Sequence, residues 1–135
     1  MRASLLAVAV LLAAPASAVA GSLVQCTIDP DVLGPSAVSW DTSTGVARIT
    51  MNDHSEHTGR VTRTQDREPR GGVRGNGEVA QAVNLVFTTI GGYDETEFLV
   101  YPTGTGSGLF GVSYDHVEGA RHLAAHHHSW QADCD

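Results

Sequence analysis

The stretch EVAQAVNLVFTTIGGYDETEFLVYPTGTGSGLFGVSYDH, residues 78–116, decides the fold. In its first run Val79, Val83, Leu85 and Phe87 share a face, in its second Phe98 and Val100 do, and in its third Phe110, Val112 and Tyr114 do. A repeat of two marks strands with one buried side. Gly91-Gly92-Tyr93-Asp94 divides the first two runs, and Pro102 with the glycines up to Gly108 divides the second two. Glycine supplies positive φ and proline ends pairing, so both connections read as turns. Three strands joined in this way make an antiparallel meander.

Upstream, Val24, Cys26 and Ile28 alternate with polar Gln25 and Thr27, and Asp29-Pro30-Asp31 stops that strand. Ala37 to Trp40 precede Asp41-Thr42-Ser43-Thr44-Gly45, a five-residue hairpin loop ending in glycine, and Ala47, Ile49 and Met51 then alternate on the return strand. The run from His57 to Thr64 has Val61 as its one large aliphatic residue and reads as an exposed or edge strand. Residues 65–77 offer almost nothing to bury and read as a surface loop. Downstream, a short helical turn is conceivable between Gly119 and His126. A last strand follows, with His128, Trp130, Ala132 and Cys134 on one face and Ser129, Gln131 and Asp133 on the other.

Both cysteines, Cys26 and Cys134, fall on the apolar faces of the first and last strands. A bond between them requires those strands to be neighbours or to face each other, because Cα atoms in a disulfide lie within about 7 Å. The fold class expected is therefore all-β: a small antiparallel meander of about eight strands, with a closed β-barrel favoured over a β-sandwich. Closure removes the edges that an open meander exposes. An immunoglobulin framework fits poorly, since Cys134 leaves no room for a following strand and Ala132 stands where the corner tyrosine belongs.

The first residues have the layout of a secretory signal peptide: Arg2, an apolar run over residues 5–14, then Ala16-Ser17-Ala18. Cleavage is expected after Ala18, or after Ala20, which assigns residues 1–18 to the signal and residues 19–135 to a single β-domain. No later run is apolar enough to predict a transmembrane helix, so the expected location is secreted or periplasmic. An oxidising compartment makes the Cys26–Cys134 disulfide the default pairing.

Fifteen Asp and Glu stand against eight basic residues, all of them Arg, for a formal net charge of -7. That balance argues against general nucleic-acid binding. Five of the arginines, Arg60, Arg63, Arg67, Arg70 and Arg74, lie within fifteen residues, where they suit either a solvated loop or an anionic partner.

Histidine is the chemical oddity. His54 and His57 flank Ser55-Glu56, and His122, His126, His127 and His128 crowd the C-terminal part. Imidazole with carboxylate suits Zn or Cu, and His54, His57, His122, His126 and His128 are the candidate ligands. His127 opposes its neighbours on a regular strand and drops out of that set. Trp40, Tyr114 and Trp130 are the candidate ligand-binding aromatics of a barrel interior or rim.

Catalytic signatures are weak. Gly106-Ser107-Gly108-Leu109-Phe110-Gly111 matches a dinucleotide pattern by letter but leads into a strand, where no helix N-terminus receives a phosphate. Asp94, Glu95 and Glu97 cluster, as paired glycosidase carboxylates do, but around a hairpin turn. The function expected is a secreted, disulfide-closed β-domain that serves as a ligand-binding or a protein-binding or inhibitor module. The alternatives are a His-centred metal-binding protein and a cofactor-free enzyme working inside the barrel.

Overall fold

The structure is a computed structural model that describes residues 22–29, 33–67, 80–102 and 108–135. Among these, eight strands close into an up-and-down barrel: β1 Leu23–Ile28, β2 Pro35–Asp41, β3 Val46–Met51, β4 Glu56–Arg67, β5 Ala80–Thr88, β6 Glu95–Tyr101, β7 Gly108–Val117 and β8 Ala120–Cys134. Each strand pairs antiparallel with the next, and β8 returns to β1. The proposed signal stretch, Val79 and most of the expected arginine-rich loop lie outside the described residues.

The interior follows the alternation. Val38 and Trp40 of β2, Ala47 and Ile49 of β3, Val83, Leu85 and Phe87 of β5, and Phe98 and Val100 of β6 are buried in one cluster with Cys26 and Ile28. The hairpin between β2 and β3 is set by Asp41, whose Oδ1 accepts from the Ser43 hydroxyl at 2.6 Å, the Ser43 amide at 2.7 Å and the Thr44 amide at 3.1 Å. Those bonds, Ser43's first, hold the Asp41 carboxyl below its ordinary range.

Closure occurs where Cys26 pairs with Cys134, Thr27 with Asp133 and Ile28 with Ala132. The two cysteines are bonded, with Cα atoms 4.0 Å apart. Two flanking bonds extend this short ladder, from the Asp29 amide to the Gln131 carbonyl and from the Asp135 amide to the Gln25 carbonyl, each 2.9 Å.

Three expectations need correction. The segment around His57 to Thr64 is no edge: β4 is paired with β3 on one side and β5 on the other, and it runs through Gln65 and Asp66 to Arg67. Its alternation is weak because an interior position is Gly59, against which the Phe87 ring packs. A Cβ there would stand 2.1 Å from the Val86 carbonyl oxygen and 2.6 Å from Phe87 Cδ1. Gly59→Ala is expected to destabilise the protein by about 1 to 3 kcal/mol, the usual range for overpacking, measured by urea unfolding. A neutral result would place Phe87 elsewhere.

The second correction concerns residues 119–126, which form no helix. Glu118 and Gly119, with φ of 51° and 78°, make a tight turn, and β8 begins at Ala120. The third concerns β7. Phe110, Val112 and Tyr114 share a face, but Leu109 and Ser113 of the opposite face are the residues completely shielded from solvent. Phe110 instead packs against a second cluster formed by Ala82, Leu99 and Tyr101 on the other side of the sheet.

That outer side also carries a polar ladder. Gln65 donates to Asn84, Asn84 donates to Glu97, and Arg121 reaches Glu97 at 3.5 Å and Glu95 at 3.2 Å. His116 Nε2 lies 3.0 Å from the other oxygen of Glu95. The exposed contacts of Arg121 and His116 each contribute little, but with the part-buried Gln65–Asn84–Glu97 bonds they cross five strands.

Candidate functional site

The β1–β2, β3–β4, β5–β6 and β7–β8 connections lie at one end of an up-and-down barrel. The first two are joined where the Asn52 amide donates to the Gly34 carbonyl at 2.9 Å. Around this end opens a cavity of about 430 Å³, lined by Leu33, Met51, Ile90, Phe98 and Trp130 as its main apolar residues. Leu33 stands at the rim, 77% exposed, while Phe98 and Trp130 are buried, with ring centroids 6.1 Å apart.

Polar groups meet this apolar surface in two sets. On the β3–β4 side the Ser55 hydroxyl and amide donate to Asp53 Oδ1 at 2.5 and 2.9 Å, and His57 Nε2 lies 3.2 Å from Ser55 Oγ. Because the Ser55 hydroxyl proton goes to Asp53, His57 Nε2 is the donor in that contact. The same Ser55 bonds, the hydroxyl's first, hold the Asp53 carboxyl below its usual range.

Across the opening, Thr96 Oγ1 is 2.8 Å from Ser113 Oγ, which is 2.7 Å from His127 Nε2. Tyr93, from the β5–β6 turn, sets its ring edge to face against His127 at 5.9 Å. This chain satisfies buried hydroxyls that would otherwise be costly. It also presents one imidazole to the cavity.

His127 faces inward because β8 is irregular. Phe110 pairs with Ser129 and Val112 with His126, so two residues of β8 oppose Gly111 alone. Such a bulge reverses the alternation between Trp130 and His127. Gly111 makes the space: a Cβ there would come within 2.9 Å of Phe98 and 3.4 Å of His127. A run of three histidines gives no indication of which one the bulge selects. The small residues Gly111 and Ser113, alternating on the inner face of a strand otherwise lined by large ones, are the sequence signal of room inside.

The residues singled out from sequence are scattered. Of Trp40, Tyr114 and Trp130, only Trp130 lines the cavity. Trp40 is buried beside the β2–β3 hairpin, paired with Val24 and Ala47. Tyr114 lies beneath Arg121, whose guanidinium carbon is 3.5 Å from its ring centre, so it is not an interior residue.

Among the histidines, His57 lines the cavity, whereas His54 is exposed in the turn with φ of 68° and His122 is exposed on β8. His126 is exposed and stacks on Phe110 at 6.2 Å. The side chain of His128 lies outside the described residues. Among the described residues no three or more His, Cys, Asp or Glu side chains converge as metal ligands.

Glu95 and Glu97 are engaged by Arg121, and Asp94 Oδ2 accepts from the His116 amide at 2.7 Å. They belong to the β6–β7–β8 surface and not to the cavity. Arg60 and Arg63 are exposed on β4. Comparison with known protein families, with characterised proteins and with solved structures finds no match.

Proposed function

We propose that the protein is an exported binding protein that takes a small, mainly apolar ligand into the mouth of its barrel. The observation that carries this reading is the cavity itself. Its volume of about 430 Å³ falls within the range of small-molecule sites, and it combines an apolar lining with a few convergent polar groups at the mouth of a β-barrel. The Cys26–Cys134 bond suits an oxidising compartment, as does the proposed signal peptide.

Trp130 provides the test, since it lines the cavity while Trp40 sits near the opposite hairpin. Titration with phenylbutanol is expected to shift tryptophan emission saturably, with one site per chain. The shift should survive Trp40→Phe and disappear in Trp130→Phe. Absence of a saturable shift, or its persistence in Trp130→Phe, would contradict the assignment.

A further inference from the structure

The polar groups around the opening differ in charge as well as in hydrogen bonding. Asp53 is the one lining residue among those described that carries a fixed charge at neutral pH; the other titratable lining groups are His57, Tyr93 and His127. No arginine lines the cavity among the described residues, and the chain contains no lysine. An anionic head group would meet a carboxylate and find no permanent cation to replace its water.

A cation meets the opposite circumstances. Asp53 is exposed at the rim, so an ammonium beside it keeps part of its hydration and escapes the penalty of full burial. Both bonds from Ser55 go to Oδ1, which fixes the carboxylate in the turn. Deeper in the cavity Trp130 and Phe98, with Tyr93 beside them, offer an apolar lining for the ligand's body. The net charge of -7 adds a long-range field of the same sign as Asp53.

We propose that the ligand of this cavity is a small monocationic amine with an apolar body, its ammonium held at Asp53 and its body against Trp130, Phe98 and Tyr93. The assignment rests on the reading of the cavity as a ligand site and adds the charge class of what fills it.

A matched series separates the two. Phenylbutylamine, phenylbutanol and phenylbutanoate share a body and differ in head group, and binding of each to the full disulfide-bonded chain can be followed by Trp130 emission at neutral pH and low salt. The amine is expected to bind up to about fivefold more tightly than the alcohol, the contribution of a partly exposed ion pair at Asp53. The carboxylate is expected to bind more weakly than the alcohol. High salt should narrow the gap between amine and alcohol. Asp53→Asn, which keeps an Oδ1 acceptor for Ser55, should bring amine and alcohol to similar affinity.

An amine advantage that survives Asp53→Asn, or a carboxylate that binds as well as the amine, would overturn the charge assignment and leave the cavity reading standing. Failure of all three compounds to alter Trp130 emission would overturn both.

Discussion

Replacement of Cys26 and Cys134 together by serine is expected to lower stability by about 4 kcal/mol, within the range for removing a disulfide from a small exported domain. The bond spans 108 residues of sequence, nearly the whole β-domain. In the chain-entropy description a loop of that length restrains the unfolded ensemble by about 4 to 5 kcal/mol. Domains of this size are commonly stable by only about 5 to 15 kcal/mol, so the loss is a large share of the total.

The position of the bond adds a local effect. β1 and β8 pair through three residues, while β7 and β8 pair along most of their length. Without the disulfide, the seam should open before the remainder of the barrel. Hydrogen exchange should then accelerate first at the Asp29 and Asp135 amides, whose bonds to Gln131 and Gln25 flank the closure. Urea unfolding of the double variant measures the global term. A loss below about 1 kcal/mol, with unchanged exchange at those two amides, would show that closure depends on strand pairing alone.

Phe98→Ala is expected to cost about 3 to 5 kcal/mol, as for other large aromatic truncations in packed cores. Phe98 is 2% exposed and lies between Phe87 and Trp130, at ring-centroid distances of 6.0 and 6.1 Å, with Gly111 beneath its edge. Two aromatic contacts and the transfer of the ring from water are lost together. The site adjoins a cavity, so the removed volume joins space already present and the neighbours have little to collapse against. The variant should therefore also accept bulkier apolar ligands and recover part of its stability when they bind. A cost below about 1 kcal/mol by urea unfolding would mean that the interior is not packed around this ring.

Much of the fold is legible in the sequence because period-two alternation survives where large side chains fill the interior. Val83, Leu85 and Phe87, Phe98 and Val100, and Ala47 and Ile49 all face the core as their spacing requires. The Asp41–Gly45 hairpin and the Cys26–Cys134 bond follow from turn chemistry and from the apolar faces of the terminal strands. Alternation fails where one residue fills space on behalf of another. Gly59 hides a central strand because Phe87 occupies its place, and Gly111 and Ser113 hide the inner face of β7 behind the larger Phe110 and Tyr114.

The candidate site was much less legible, for a related reason. A register shift in β8 turns His127 inward against strict alternation, and Tyr114 lies with Phe110 and Val112 on the outer face of β7, under Arg121. A bulge adds one residue without leaving a compositional mark. Asp53 and Tyr93, from two turns, meet Thr96 of β6 and Ser113 of β7 only when the barrel closes around one mouth. Of the residues that line the cavity, His57 and Trp130 are ones that the sequence singles out as candidates.

The central claim is that the mouth between residues 52–55 and 89–94 is where this barrel binds. Two-dimensional NMR of the labelled, disulfide-bonded chain titrated with phenylbutanol tests it residue by residue. The expected result is saturable shifts at the Trp130 indole, the His57 and His127 rings and the Thr96 amide, with the Trp40 indole and the Asp41–Gly45 hairpin unmoved. Shifts centred on that hairpin or on the outer Glu95–Arg121 surface, or no shifts at all, would contradict it.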